Sequence, residues 1–200
     1  MIEGFRYLPG CLNARRCRAL LAEIRQLLVD APLFQPVMPR TGKPLSVKMS
    51  NCGALGWVSD KAGYRYQAVH PVTGAAWPAM PQQLLALWQE VAAYPAPPEA
   101  CLINYYAEAS KMGSHRDVDE QDFAAPVVSI SLGDDAVFHI GGLMRADART
   151  RLTLQSGDVV VLGGASRRAY HGIDRVFNGT SDLLAEGGRY NLTLRRVSLP

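Results

Sequence analysis

The segment "GSHRDVDEQD", residues 113–122, sets one histidine among four acidic side chains. His115 and Asp117 stand two apart, and in an extended chain positions i and i+2 share a face, so both can reach one ion. On its own the pair is equally a solvated acidic loop, since His-x-Asp is a two-residue coincidence. Downstream, "RAYHGI" supplies His171, and "RYNLTLRR" carries Arg189, Asn191, Thr193 and Arg195 at alternate positions. Two imidazoles and one carboxylate leave positions open on a metal and suit non-haem Fe(II) oxygen chemistry. Guanidinium forks bind planar carboxylates in a bidentate way, so two arginines on one strand face suit an organic acid. An edge strand with a solvated basic face would present the same residues, and on the strand alone both readings stand.

These residues need elements to position them. From residue 100 onward the chain reads as short strands: "ACLINYY", "PVVSISLG", "AVFHI", "RLTLQ", "DVVVLGG", "RAYHG" and "RYNLTLRRV", separated by Gly-Asp and Ser-Gly turns. That pattern predicts a small barrel or jelly roll. In the last strand, Tyr190, Leu192 and Leu194 fall on one face and the polar set on the other, so the apolar face can pack on helices. Two such helices precede it. Behind Asn13, a residue suited to cap a helix, Cys17, Leu20, Leu21, Ile24, Leu27 and Leu28 recur at helical spacing. After Pro81 the stripe is Leu84, Leu85, Trp88, Val91 and Ala92, closed by "YPAPPEA", which makes Trp88 a core residue. Residues 34–80, rich in proline, glycine, basic and aromatic residues, read as a functional cover rather than core.

The bulk properties bound the answer. Two hundred residues, 48% hydrophobic and 20% charged, suit one domain with a substantial core and a pocket. The expected organisation is a single domain over residues 1–200, with 1–99 as helical support and lid and 100–200 as the jelly-roll core. No apolar run is long enough for a membrane span and "MIEGFRYLPG" is no signal peptide, so the expected compartment is the cytoplasm. Cys11, Cys17, Cys52 and Cys101 form no C-x-x-C pair, which points to buried thiols rather than a zinc cluster or disulfide framework. A net charge of +3 is compatible with a phosphate-bearing partner without requiring one.

The order H-x-D, a distant H, then R-x-N-x-x-x-R resembles the 2-oxoglutarate- and Fe(II)-dependent dioxygenases, specifically the AlkB family of nucleic-acid demethylases. "CLINYYAEASKMGSHRDVDE", "FHIGGL", "GDVVVLGGASRRAYHGI" and "RYNLTLRR" carry the likeness, which extends upstream through "MSNCGALGW", "GYRY" and "WPAMPQ". The resemblance implies an α+β fold: a double-stranded β-helix (jelly-roll) core with N-terminal supporting helices and a nucleotide-recognition lid. It implies that His115, Asp117 and His171 hold Fe(II), and that 2-oxoglutarate and O2 are co-substrates. Arg189 would pair with the far carboxylate of 2-oxoglutarate, helped by Asn104 and Tyr106, while Asn191 and Arg195 support its metal-bound end. Trp57, Met49, Tyr64, Asp119 and Arg145 match positions at the target nucleotide, with Trp57 stacking on the base against His115. The implied reaction is oxidative demethylation of 1-methyladenine- or 3-methylcytosine-type bases in DNA and possibly RNA, releasing formaldehyde and succinate. The partner is then methylated nucleic acid, single-stranded or with a flipped base, met by a monomer without a membrane.

This sequence departs from the family pattern in places. Val118 stands where the family has a basic residue, and Arg116 where it has a neutral amide. Asp134 and Asp135 replace an apolar residue and proline, and Leu162 an aromatic. None is an expected iron ligand. A related oxygenase acting on a protein or small molecule would keep the iron residues and Arg189 but leave Trp57 without a role. A catalytically silent binding module would have no need of all three ligands.

Overall fold

In the computed structural model, residues 2–200 are described, and the alternation of the last strands decides the architecture. The elements, in chain order, are β1 (Phe5–Leu8), α1 (Ala14–Asp30), β2 (Lys48–Gly53), β3 (Gly56–Asp60), β4 (Gly63–Gln67), α2 (Gln82–Val91), β5 (Ala100–Tyr106), β6 (Met112–His115), β7 (Val127–Gly133), β8 (Ala136–Ile140), β9 (Thr150–Leu154), β10 (Val159–Leu162), β11 (His171–Val176) and β12 (Arg189–Arg195). A major sheet runs β1-β10-β7-β12-β5-β2 and a minor sheet β6-β11-β8-β9, while β3 and β4 form a separate ribbon. Every pairing is antiparallel. This is a jelly-roll core of two facing sheets with helices outside.

The period of two sorts the side chains. Tyr190, Leu192 and Leu194 of β12, with Cys101 and Ile103 of β5 and Val128, Ile130 and Leu132 of β7, pack against Leu20, Leu21, Ile24, Leu84 and Trp88 of the helices. Burying each of these large aliphatic side chains contributes roughly 1.5–3 kcal/mol. Leu102, Tyr106, Val127, Val160 and Leu162 face the other way, toward Phe138, Ile140 and Leu154 of the minor sheet. Polar residues of the central strands also face inward there, and they build the site.

Both helices start and pack much as their sequences require. Asn13 accepts the Arg16 amide at 3.0 Å as the N-cap of α1. In α2 the buried positions are Leu84, Leu87, Trp88 and Val91, the 3.6-residue spacing, and Leu85 is only partly buried. Trp88 is a core residue, with its indole N–H donated to the Ala96 carbonyl at 3.0 Å. Among the described residues no helix is long and apolar enough to cross a membrane.

The first hundred residues do more than support and cover. β1 and β2 are strands of the major sheet, β2 pairing with β5 from Lys48↔Tyr105 to Gly53↔Ala100. Residues 34–80 do not read as core because β2 buries polar side chains that have partners: Ser50 donates to the Ala31 carbonyl at 2.7 Å, and Asn51 bonds both backbone groups of Trp57 at 3.0 Å. Trp57 accordingly lies not in a free loop but on β3, half-buried and paired with Tyr66 of β4. Gly56 before it has no room for a side chain, since a Cβ would come within 2.4 Å of the Trp77 ring. Finally, "RAYHG" is not one strand: a short 3₁₀ helix, Gly164–Arg168, leads into β11, which begins at His171.

Candidate metal and cosubstrate site

His115 ends β6 and His171 begins β11, and the two are directly opposite in the ladder. Gly172 permits this close pairing, because a Cβ there would lie 2.4 Å from the Met112 carbonyl and 3.0 Å from that of Gly113. Asp117 follows β6 by two residues and turns its carboxylate between the imidazoles, 3.9 Å from His115 Nε2 and 3.8 Å from His171 Nε2. One ligand atom from each of the three lies within 4.8 Å of the other two. His115 Nδ1 is 3.0 Å from the Gly113 carbonyl and His171 Nδ1 3.0 Å from the Ala169 carbonyl. With those protons on Nδ1, both Nε2 lone pairs are free for a metal, and the backbone carbonyls fix the ring orientations. An N,N,carboxylate donor set on one side of an open cavity fits Fe(II).

The electrostatics keep His171 and Asp117 in ligand form. Burial pushes His171 down to about 4, aided by the charge on His115 and opposed by Asp117, so the ring is neutral near pH 7. For Asp117, burial alone would raise the carboxyl; Arg195, the two histidines and Arg167 outweigh it and hold it well below the usual carboxylate range. Arg195 Nη2 donates to Asp117 Oδ1 at 2.9 Å, leaving Oδ2 buried without a hydrogen-bond partner.

Behind the triad, β12 presents Arg189, Asn191, Thr193 and Arg195 to the cavity, which settles the inward reading of the arginine strand. Arg189 is opposite Tyr106 and Asn191 opposite Asn104 on β5, so the four share one sheet face. Arg189 has 0% exposure, yet only Nη2 is paired, donating to Ser131 Oγ at 2.7 Å; Nε and Nη1 have no partner, nor has Asn104 Oδ1. Burial pulls the Arg189 guanidinium below its ordinary value, as expected of a buried cation without a counter-ion. The Tyr106 hydroxyl is pushed up to about 12 by burial against the pull of Arg189 and Arg195, so it stays protonated and can donate. Buried unpaired donors of this kind fit the distal carboxylate of a dicarboxylic acid. Asn191 is held by Ser129 Oγ at 2.7 Å and by Thr193, whose hydroxyl donates to Asn191 Oδ1 at 3.0 Å.

The cavity, about 290 Å³, opens between the triad and the β3–β4 ribbon. Trp57, Tyr64 and Asp119 meet at its mouth: the indole N–H donates to Asp119 Oδ2 at 2.7 Å, and the Trp57 and Tyr64 rings stack at 5.5 Å with an interplanar angle of 17°. Met49 also lines the cavity but is buried, with 2% exposure. Arg145 is not brought to the wall. It is exposed, donates to the Ser114 carbonyl at 2.7 Å and lies 5.6 Å from the Tyr170 ring, which Arg116 approaches at 4.9 Å.

Three neighbours of the site are absent from the sequence reading because only the fold brings them together. Beside Asp117, the buried pair of Glu120 and Arg167 is joined by the Tyr66 hydroxyl. The departures from the family pattern also find places. Asp134 is buried and accepts the amides of Thr180, Ser181 and Gly188 at 2.9–3.1 Å, securing the turn that leads into Arg189. Leu162 is buried between the sheets, and Val118 is exposed at the cavity mouth.

Comparison with known proteins agrees with this geometry. Residues 4–195 match the family model of the 2OG-Fe(II) oxygenase superfamily. The chain is 48% identical over 197 residues to an alpha-ketoglutarate-dependent dioxygenase AlkB homolog of Caulobacter vibrioides, covering 98% of this chain and 89% of that protein. It is 46% identical over 182 residues to the alpha-ketoglutarate-dependent dioxygenase AlkB of Escherichia coli K12, covering 89% and 83%. The solved structure of OsALKBH1 superposes with a TM-score of 0.83 at 29% identity, covering 98% of each chain. Shorter segments match a DNA N(6)-methyladenine demethylase of Arabidopsis thaliana, at 39% over half of this chain, and a tRNA demethylase of Schizosaccharomyces pombe, at 35% over 46%. Both cover a third or less of those proteins. With its jelly roll, its His-Asp-His cluster and these relatives, the chain belongs to the AlkB family and is an Fe(II)- and 2-oxoglutarate-dependent dioxygenase.

Proposed function

We propose that this enzyme removes N-methyl groups from nucleobases by oxidation, acting as a monomer on DNA or RNA in the cytoplasm, with the target base single-stranded or flipped. The observation that carries the reading is the mouth of the cavity: an indole on a ribbon, backed by Tyr64 and bonded to Asp119, lining the same cavity as the His-Asp-His cluster. Such an aromatic ledge suits a planar base, and stacking accepts different bases. The names of the Arabidopsis and Schizosaccharomyces relatives, both demethylases of nucleic acids, support the same substrate class.

In this reading His115, Asp117 and His171 hold Fe(II) through two Nε2 atoms and one carboxylate oxygen. Arg189 receives the far carboxylate of 2-oxoglutarate, with Tyr106 donating its hydroxyl and Asn104 beside it. Asn191 and Arg195 steady the end near the metal. Bound Fe(II) supplies O2 activation, coupling decarboxylation of 2-oxoglutarate to succinate and CO2 with hydroxylation of the methyl group. Trp57 and the His115 ring sandwich the base, and Asp119 favours the cationic forms that methylation creates in adenine and cytosine. Met49 closes one wall. Tyr64 backs the indole and offers its hydroxyl to a backbone phosphate, and Arg145, exposed outside the cavity and bonded to the Ser114 carbonyl, adds a cation for the same strand. The hydroxymethyl product then breaks down to formaldehyde and the unmodified base.

The test is turnover of oligonucleotides carrying 1-methyladenine or 3-methylcytosine by Fe(II)-loaded protein with 2-oxoglutarate and O2, measuring formaldehyde and restored base. Both products should appear together. Decarboxylation of 2-oxoglutarate that never yields formaldehyde from these oligonucleotides would shift the substrate to a protein or small molecule.

A further inference from the structure

Glu120 is the most fully enclosed carboxylate near the site, its side chain 1% exposed, and its partners come from three different elements. The Tyr66 hydroxyl, from β4, lies 2.5 Å from Oε1. Arg167, from the 3₁₀ helix, donates to Oε2 at 3.1 Å, and Arg195 Nε, from β12, stands 3.4 Å from Oε1. The same two arginines hold the metal loop: Arg195 grips the Asp117 carboxylate at 2.9 Å, and Arg167 donates to the Asp117 backbone carbonyl at 3.0 Å. Two buried anions and two buried cations therefore form one closed cluster, in which moving any member leaves another charge uncompensated.

Tyr66 makes that cluster reach outward. It is the ladder partner of Trp57, and the metal loop is fastened to the ribbon at consecutive residues: Asp119 to the Trp57 indole, in the open, and Glu120 to Tyr66, in the interior. A displacement of the ribbon can thus pass to Asp117 along a continuous path, Tyr66 to Glu120 to Arg195 to Asp117. Such a path transmits a shift because its charged members are buried and shared, so that none can move without leaving a partner uncompensated.

We infer that Tyr66 and Glu120 are positioning residues that couple occupancy of the β3–β4 ribbon by a nucleotide to the setting of the Asp117 carboxylate. This rests on the proposed nucleic-acid substrate; neither residue need touch the base or the metal. Its consequence is that target binding changes the metal's surroundings, and that this change passes through the Tyr66 hydroxyl.

The test uses the full chain loaded with Co(II) in place of iron, under 2-oxoglutarate, and an oligonucleotide carrying one 1-methyladenine. Oligonucleotide affinity and the Co(II) ligand-field spectrum are read in the same titration. In the parent, binding should shift the spectrum. Tyr66→Phe, which removes one oxygen, should still bind the oligonucleotide but lose the shift. Glu120→Gln should lose it as well and weaken Co(II) binding about tenfold, as expected for a residue supporting a ligand. A Tyr66→Phe protein that binds and shifts like the parent overturns the coupling, as does a parent that binds without any shift. A parent that fails to bind the oligonucleotide instead overturns the substrate assignment on which the coupling rests. If Glu120→Gln does not fold, Tyr66→Phe alone decides, since its ring can still fill the same space.

Discussion

The floor of the cavity hangs on β12, whose seven residues are all buried and laddered on both sides by β5 and β7, whereas its mouth is formed by the two-stranded β3–β4 ribbon, where Tyr64 is 53% exposed. At the floor, position is fixed by the backbone ladders themselves, and the charged groups are buried with few partners. At the mouth, position is fixed by a few side-chain bonds: Asn51 to the Trp57 backbone, Trp57 to Asp119, Tyr66 to Glu120. A site that must hold one small co-substrate identically every cycle suits the first construction. One that must admit and release a polymer suits the second, because short ribbons open at lower cost than central strands. Substitutions at the floor should therefore remove chemistry, and substitutions at the mouth should tune affinity.

The largest effect is expected at the triad. Asp117→Ala removes a proposed metal ligand and leaves Arg195 facing the cavity without its closest anion. Turnover of 2-oxoglutarate should fall to background even without a nucleic-acid substrate. Stoichiometric iron with full decarboxylation in this variant would break the assignment. Arg189→Lys comes next. It keeps the charge and loses the fork, so hydrogen bonds to a charged group worth about 1.5–3 kcal/mol are at stake, roughly a 10- to 150-fold weaker 2-oxoglutarate affinity. Iron binding should survive, and a titration of 2-oxoglutarate against the parent decides it. Unchanged affinity would mean that the unpaired Nε and Nη1 of Arg189 do not face the co-substrate.

At the mouth, Trp57→Ala should weaken binding of a methylated oligonucleotide by about 1–3 kcal/mol while leaving substrate-free decarboxylation largely intact. A tryptophan serving only as core would instead cost roughly 3–5 kcal/mol of stability and lower every activity together. Thermal stability, uncoupled turnover and oligonucleotide affinity measured on one variant separate the two. If all three fall in proportion, the ribbon is scaffold and the contrast between floor and mouth disappears.

The same contrast explains what could be read from the sequence. β12 was legible because its apolar face, Tyr190, Leu192 and Leu194, meets the helices while its polar face lines the cavity, so alternation survives in the sequence. The grouping of His115, Asp117 and His171 was legible because a metal site admits only a few residue types, and those types stand out in the sequence. β2 was not, because Ser50 and Asn51 are buried polar residues whose partners, the Ala31 carbonyl and the Trp57 backbone, are supplied by tertiary contact. In the sequence Glu120 is one more charge in an acidic stretch, and Arg167 is one of two adjacent arginines. Nothing local marks either as interior; the pairing between them, 47 residues apart, makes their burial affordable.

The smallest expected effect isolates what the ribbon contributes beyond Trp57. Tyr64 stacks behind the indole, and an aromatic pair of this kind is worth about 0.5–1.5 kcal/mol beyond its buried area. Tyr64→Ala should therefore weaken oligonucleotide binding by roughly 2- to 10-fold through a less firmly held indole, with no change in 2-oxoglutarate affinity. Tyr64→Phe keeps the ring and removes only the hydroxyl. If the stack dominates, the phenylalanine variant should lose less than half of what the alanine variant loses, measured as logarithms of affinity. If the two lose equally, the hydroxyl and its phosphate are the whole contribution, and the dependence of binding on salt should stay as in the parent in both, since a neutral hydroxyl releases no counterion. Either result leaves the floor untouched. A Tyr64 variant that altered 2-oxoglutarate affinity would instead show that the two ends of the cavity are more tightly joined than their separate construction implies, and would direct attention to the buried path through Tyr66 and Glu120.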